Sequence, residues 1–449
     1  MTLSSTAPRS AAHRLYVRLW HFGFRWLYVV DSVGILVVVV AVMVARFGTK
    51  WPEPTASWVG IVVVTVLVQL VFYFGGLYEK QVRLGQRMWF PRVAGLTLVG
   101  LAVSAVLVLP TGRYPVPRAN LPLIGGFVAL FATGSRALSR RLRARRFGPP
   151  RVLLVGGDEQ TSLAADHLDE SDRDAMVAAR VADGRNLLSE IEQHQATDIV
   201  FVDDVVVEDL FPEPAGTLDA RGVGAYLRVT ATSALMGLRE VREIGGMPYV
   251  ALRSRALRPH QVRLKRLVEL LVLLAVSPFV LLTGLFIAVW LRACAGSGVV
   301  LHQRRIGLGG KPFTLLKFRT MALDAEDNGG VRLASRDDDR VLRGCRWLRR
   351  TRLDELPQLW NVVRGEMSLV GPRPERPELV AEFELAIPGY GRRHEIPPGI
   401  TGLAQTRAGY HTDPAYKLGH DLQYLMSWSP ILDLQILART ILVMVLRRS

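Results

Sequence analysis

The sequence predicts an α/β membrane protein in three parts. These are an N-terminal four-helix transmembrane bundle, a Rossmann-like α/β middle domain, and a C-terminal domain carrying a re-entrant membrane helix. Three observations predict it. Four apolar stretches of near-span length precede residue 140. Short β-type runs then alternate with helical stretches over residues 151–230. A further apolar stretch, 264–291, is interrupted at its midpoint by Ser277-Pro278 and followed by a basic segment.

A chain of 449 residues exceeds one ordinary soluble domain. Its 49% hydrophobic content with a net charge of +16 indicates a membrane protein with basic faces. Nucleic acid is not an expected partner, because no zinc-finger spacing, RRM signature or aromatic-interleaved basic strip occurs. Two cysteines, Cys294 and Cys345, exclude a disulfide framework, and neither has metal-ligand spacing. The first apolar run starts near Leu27 with no small-residue cleavage site after it, so a cleavable signal peptide is not expected.

The bundle, residues 1–146, is read from stretches 27–44, 58–77, 93–109 and 121–138, each near the roughly 20 residues that cross hydrocarbon. The fourth is weakened by Gly125, Gly126, Gly134 and Arg136. Arg9, Arg14, Arg18 and Arg25 precede the first span; Lys80, Arg83, Arg87 and Arg92 lie between the second and third. Arg136, Arg140, Arg141, Arg143, Arg145 and Arg146 close the fourth. The other two loops hold only Arg46 and Lys50, then Arg113 and Arg118. The positive-inside rule therefore puts both ends of the bundle in the cytoplasm.

The middle domain, 147–252, has β-type runs at 151–155, 198–203 and 225–230 with helical stretches at 160–168 and 187–195 between them. That alternation predicts a small Rossmann-like unit. Gly156-Gly157 invites a dinucleotide reading, but Asp158 and Thr161 stand at the later glycine positions of G-x-G-x-x-G. The domain is expected to be non-catalytic. Gly245-Gly246-Met247-Pro248 predicts a turn leading toward the membrane segment.

The C-terminal domain, 253–449, opens with the stretch 264–291, which is long enough to span. A straight span would carry Arg304, Arg305, Lys311, Lys317 and Arg319 outside, against the charge rule. Pro278 removes a helix hydrogen bond and kinks the chain. The expectation is a helix-break-helix that dips into one leaflet and returns, with Lys265 and Arg266 at the lipid headgroups or lipid phosphate. Residues 431–446, interrupted by Asp433 and Arg439 and ending in Arg447-Arg448, predict an apolar helix on the membrane surface.

The chemistry concentrates in residues 349–374. Asp354 and Glu355 are adjacent carboxylates, and such a pair can divide attack on phosphorus from metal binding. Arg349 and Arg373 flank them and can grip phosphate oxygens bidentately. Gly371-Pro372-Arg373-Pro374 reads as a rigid turn that fixes Arg373. Upstream, Gln303, Arg304, Arg305, Lys317 and Arg319 alternate with apolar residues as in half-buried strands and favour an anion site. Attack by an anion on a diphosphate needs cations and a metal to offset repulsion. A carboxylate is already ionised at neutral pH, whereas a hydroxyl would need a general base. His302, His394, His411 and His420 have no metal-ligand spacing and are assigned to packing or surface.

With these landmarks in place, the C-terminal region resembles the bacterial sugar transferases, the polyprenyl-phosphate hexose-1-phosphate transferases of the monotopic phosphoglycosyl transferase superfamily. The resemblance rests on Lys265-Arg266, Ser277-Pro278, Gln303-x-Arg305-x-Gly307 and Lys317-Phe318-Arg319-Thr320-Met321. It continues through Leu353-Asp354-Glu355-Leu356-Pro357, Asn361-Val362, Gly371-Pro372-Arg373-Pro374, Pro398-Gly399-Ile400-Thr401-Gly402 and Asp421-Leu422-x-Tyr424. The preceding spans and α/β domain resemble the large subfamily. Three positions depart from the common pattern: Glu269 for Asp, Val299 for Pro, and Arg352 for a small residue.

The resemblance implies a catalytic C-terminal domain on the cytoplasmic face of a bacterial inner membrane. It implies transfer of hexose-1-phosphate from a UDP-hexose to polyprenyl phosphate, releasing UMP and starting an exopolysaccharide or O-antigen-type glycan. Asp354 is the implied nucleophile and Glu355 the implied Mg²⁺ ligand. Arg349 and Arg373 are the implied phosphate binders, with Lys317, Arg319, Gln303 and Arg305 completing the pocket. A homodimer is implied as well. Two other readings stand beside it: a UDP-sugar phosphohydrolase, which would not need a lipid-dipping helix, and a non-catalytic scaffold, which would not need the carboxylate pair.

Overall fold

The computed structural model describes residues 25–48, 54–79, 84, 89–108, 116–171, 175–182, 186–203, 215–230, 241–252, 255–321, 341–407 and 413–446. Arg9, Arg14, Arg18, Lys50, Lys80, Arg83, Arg87, Arg113, His411, Arg447 and Arg448 lie outside the described residues. The chain forms two compact units, Met1–Ser254 and Arg255–Ser449.

The first unit begins with four helices: α1 (Arg25–Phe47), α2 (Pro54–Phe74), α3 (Trp89–Val108) and α4 (Leu121–Phe147). α1, α3 and α4 are long and apolar enough to cross a membrane, while the apolar part of α2, Trp58–Phe74, is shorter. Ile35, Val39, Ile61, Val68, Phe72, Leu101 and Val128 pack inside the bundle. Val33, Val37, Val62, Leu98 and Leu130 point outward, as lipid-facing positions do. Arg136, which weakens α4 as a span in sequence, is fully buried and paired at 2.9 Å with Asp31 of α1. An intramembrane charge survives when a partner neutralises it. This pair ties the first helix to the fourth.

The same unit then builds a six-stranded sheet. Its elements are β1 (Arg151–Val155), α5 (Asp158–Ser171), β2 (Met176–Val181), α6 (Leu187–His194), β3 (Asp198–Phe201), α7 (Ala215–Arg221), β4 (Gly224–Arg228), β5 (Val241–Ile244) and β6 (Met247–Leu252). The order is β2-β1-β3-β4-β6-β5. The first four strands are parallel, and β6 and β5 join antiparallel. Gly245-Gly246 does not lead away toward the membrane segment. It closes the β5–β6 hairpin with φ of 55° and 73°, the two left-handed residues that a type I′ turn demands. At the β1–α5 loop the Asp203 carboxylate accepts the Gly157 N–H. That donor is one a pyrophosphate would need.

The second unit begins with α8 (Pro259–Ala295). The break expected at Ser277-Pro278 is absent as an interruption, since α8 is helical through Pro278. Pro278 has no N–H to offer the Leu274 carbonyl four residues back. Ser277 Oγ donates to that carbonyl instead, at 2.9 Å, so the polar group keeps a partner. Both ends of α8 pack on the rest of this unit. Leu273 joins a core with Leu315, Val362 and Tyr424, and Ile287 and Leu291 join one with Phe318, Cys345 and Leu348. The middle is bare: Phe279, Leu281 and Leu282 are each more than 70% exposed.

β7 (Val300–Ile306) and β8 (Pro312–Phe318) follow as an antiparallel hairpin. Then come α9 (Arg346–Arg350), a 3₁₀ turn at Leu353–Glu355, α10 (Gln358–Arg364), β9 (Ser368–Val370), α11 (Pro377–Ala386) and β10 (Gly399–Thr401), which pairs parallel with β9. α12 (Leu403–Arg407), α13 (Pro414–Ser427) and α14 (Pro430–Leu446) complete the chain.

Candidate active site

Asp354 and Glu355 sit in the 3₁₀ turn between α9 and α10. Arg352, just before it, has φ 55°, a left-handed conformation uncommon for a residue with a Cβ. That kink lets the chain turn back so the Glu355 N–H reaches the Arg352 carbonyl at 3.1 Å. Leu353 and Leu356, on either side of the pair, are packed with Ile287 and Leu291 of α8. The apolar anchors therefore hold the turn, and the two carboxylates project from it.

Glu355 Oε1 meets Lys317 Nζ of β8 at 3.4 Å and Arg373 Nη2 at 3.3 Å. Burial disfavours its charge, but Arg373, Lys317 and Arg352 outweigh burial and bring the carboxyl down to about 2. Asp354 behaves oppositely. Burial and then the neighbouring Glu355 push it up to about 6, with Lys317 and Arg349 opposing. Burial likewise pulls the Lys317 ammonium below its ordinary value. Adjacent carboxylates with divergent acidities are the signature of a divided chemical task.

Two supports place the cations. Asn361 of α10 bonds the outer edge of β8 as a strand would, accepting the Leu316 N–H at 3.0 Å and donating to the Thr314 carbonyl at 2.8 Å. This fixes β8, and hence Lys317, against the turn that carries the pair. Arg373 is fixed through its backbone. Gly371 N–H donates to Thr401 and Gly399 N–H to Pro372, both at 2.8 Å, while Ile306 N–H reaches Glu375 at 3.0 Å. The strands touch so closely that a Cβ on Gly399 would lie 2.1 Å from Gly371 N. Arg393 Nη2 holds the Arg373 carbonyl at 3.0 Å and Arg305 Nη1 holds that of Pro374 at 3.3 Å.

The structure thus brings together Asp354, Glu355, Lys317, Arg373 and, through its charge on Asp354, Arg349. Arg305 and Gln303 stand behind the turn, Arg305 donating to Gln303 Oε1 at 3.3 Å, and are supports of Arg373. Arg319 is buried and donates to the Ser297 carbonyl at 2.8 Å. Lys265 corrects the expectation that it meets lipid headgroups. The Lys265 ammonium is buried, and its three donors are taken by Glu269 at 3.0 Å, Asp433 at 2.9 Å and Tyr424 Oη at 3.0 Å. Arg266 donates to the Val362 and Val363 carbonyls at 2.6 and 2.8 Å, satisfying the last carbonyls of α10. Glu269, a departure from the usual pattern, still reaches backbone, accepting the Leu369 N–H at 3.2 Å.

Sequence reasoning missed Arg393 and its buried partner Asp421, 2.9 Å apart. Burial raises Asp421 to about 6 against the pull of Arg393, and burial followed by Arg393 lowers the neighbouring His394 to about 4. Asp421 was visible only as a landmark without a role, and Arg393 carried no signal. Arg393→Met strips the donor from the Arg373 carbonyl and leaves Asp421 to take up a proton. The expected cost is about 2 kcal/mol, read as a lower unfolding midpoint in thermal denaturation of the full chain in nanodiscs.

Comparison with known proteins identifies the family. Residues 260–447 match the family model described as "Bacterial sugar transferase". An "undecaprenyl-phosphate glucose phosphotransferase" of Komagataeibacter xylinus is 32% identical over 411 residues, covering 86% of this chain and 70% of that protein. A "UDP-glucose:undecaprenyl-phosphate glucose-1-phosphate transferase" of Klebsiella pneumoniae is 38% identical, covering 44% of each chain. An Aeromonas hydrophila protein named for transfer of N-acetylgalactosamine phosphate from its UDP-sugar to undecaprenyl phosphate is 40% identical, over 37% of this chain and 38% of its own. With Glu355 of the carboxylate pair gripped by Lys317 and Arg373, in a domain matched almost from end to end, one assignment is left: the chain belongs to the bacterial sugar transferase family.

Proposed function

We propose that the protein transfers a hexose-1-phosphate from a UDP-sugar to undecaprenyl phosphate, releasing UMP and beginning a lipid-linked glycan of the exopolysaccharide or O-antigen type. The observation that carries this reading is the turn that sets Asp354 beside Glu355, whose Oε1 is held by Lys317 at 3.4 Å and Arg373 at 3.3 Å. An Asp354 oxygen attacks the sugar-bearing phosphorus, and the bond from that phosphorus to the UMP oxygen breaks. A phosphate oxygen of the lipid then attacks the same phosphorus, and the Asp354 carboxylate is released. Arg349 and Arg373 hold diphosphate oxygens, and Lys317 keeps Glu355 ionised and oriented.

The site suits a magnesium ion. Among the described residues no group of three or more His, Cys, Asp or Glu forms a closed metal site. Magnesium needs only one or two carboxylates, because substrate phosphates and water complete its shell. Glu355, with Asp354 beside it, would hold the ion. When bound, it would neutralise diphosphate charge.

The membrane arrangement follows the same reading: a catalytic domain on the cytoplasmic face, with α8 dipping into one leaflet and returning. Arg266 near one end of α8 is bonded to Val362 and Val363, and Trp290 Nε1 near the other to the Gly344 carbonyl at 3.3 Å, so one unit holds both ends while the apolar middle around Pro278 is bare. A homodimer is part of the proposal, and the sugar is one of the hexoses named for its relatives.

The decisive assay is purified protein in nanodiscs with UDP-hexoses, undecaprenyl phosphate and Mg²⁺, measuring UMP. No UMP from any donor overturns the assignment. With Asp354 raised to about 6, its nucleophilic form dominates above that pH and is lost below it. The rate of UMP formation is expected to fall about tenfold per pH unit below 6. A rate that is level down to pH 4.5 would remove Asp354 from that step.

A further inference from the structure

The two ends of α8 differ in what their cations do. At the first end the Lys265 ammonium is consumed by protein oxygens, and Arg266 donates to two backbone carbonyls. At the second end Arg292 is exposed, and among the described residues no ion pair engages it. Beside it runs a shallow groove of about 510 Å³ lined by Ala288, Val289, Arg292, Ala293 and Val299. Ala288 and Arg292, like Val289 and Ala293, are four residues apart and so stack on one face of the helix. Small side chains at 288 and 293 open that face, and Val299 forms the facing wall.

The groove shares an apolar cluster with the turn that carries the reacting groups. Ala288 and Val299 belong to the same apolar cluster as Leu353 and Leu356, which bracket Asp354 and Glu355. The Val299 carbonyl accepts the Arg319 N–H at 2.8 Å, and Lys317, two residues back along β8, holds Glu355. The midpoint of α8 is bare and apolar, and Trp290 bonds the protein at the polar end, as an indole does at a membrane boundary. Four apolar walls cannot satisfy the ribose, base or hydroxyls of a nucleotide sugar. They suit hydrocarbon, and the cation at the rim suits its phosphate.

We infer that this groove on the second half of α8 receives the first isoprene units of the polyprenyl phosphate acceptor, with Arg292 engaging the phosphate as it approaches Asp354. The inference rests on the proposed transferase reading and moves the lipid-phosphate contact from Lys265 and Arg266 to the opposite end of the helix.

The test uses the full chain in nanodiscs of phosphatidylglycerol and phosphatidylethanolamine. Arg292→Ala and the groove-filling Ala293→Trp are each expected to raise KM for undecaprenyl phosphate about tenfold, with a much smaller change in KM for the UDP-sugar. Arg292→Lys is expected to restore most of the acceptor affinity. Independently, a benzophenone-bearing polyprenyl phosphate should crosslink to residues 288–299, and unlabelled undecaprenyl phosphate should suppress that crosslink. An unchanged acceptor KM, crosslinks confined to residues 259–275, or suppression by bulk phosphatidylglycerol as effective as by undecaprenyl phosphate overturns the groove. Absence of UMP from unaltered protein would instead overturn the transferase reading, and the crosslink map would still decide the groove.

Discussion

Asp354→Asn is expected to abolish UMP formation, by at least about a thousandfold, while the protein becomes no less stable. The two halves of this result have one cause. Asp354 is a carboxylate that the fold disfavours, pushed up to about 6 by burial and by the charge of Glu355 beside it. Asparagine keeps its shape and removes the charge that burial penalises. The amide cannot form the bond to phosphorus, so chemistry stops even though the folded state loses no favourable ion pair. Single-turnover UMP release and thermal unfolding, measured on the same nanodisc preparation, read both effects. UMP release within tenfold of the unaltered protein would remove Asp354 as nucleophile. A large drop in unfolding midpoint would make the loss of activity structural.

The legibility of the chain follows the range of the forces involved. The bundle helices and the strand–helix alternation of the middle domain were readable because hydrophobic periodicity is local, and β1, β3 and β4 appear where the apolar runs stand. β2 was not read, since Met176–Val181 is an edge strand with no fully buried residue, and its short run of Met, Val and Ala carries no strand-type alternation. The carboxylate pair and Arg373 were readable from residue type and short spacing. What the sequence concealed is pairing over long separations. Arg136 looked like a flaw in a span until Asp31, 105 residues away, neutralised it. Lys265 looked like a headgroup cation until Asp433, 168 residues away, took it inside. Arg393 and Asn361 act on backbone carbonyls and amides, which leave no mark in the side-chain pattern. The Ser277-Pro278 step was visible, but its consequence depended on a hydroxyl replacing a lost backbone donor, and that kept the helix whole.

Glu355→Gln should act on stability with the opposite sign to Asp354→Asn, one residue away. Glu355 is held near 2 because Arg373 and Lys317 both lie on its Oε1, at 3.3 and 3.4 Å, with its side chain only 11% exposed. A depressed acid contributes stability that is fully present above its unfolded value and disappears as pH falls through its folded one, so at pH 7 the contribution is complete. The neutral amide leaves Lys317 and Arg373 facing each other without an anion. Breaking an enclosed pair in this way costs about 3 kcal/mol, which lowers the unfolding midpoint of a domain this size by roughly 6–12 °C. UMP formation should fall about a hundredfold, because Arg373 is no longer steered and the metal loses a charged ligand. Titrating Mg²⁺ separates these contributions. A rise in the Mg²⁺ concentration needed for half-maximal UMP release assigns the ion to Glu355. An unchanged requirement with lowered stability makes Glu355 an anchor for the two cations alone. Stability equal to that of Asp354→Asn would contradict the electrostatic division of the pair.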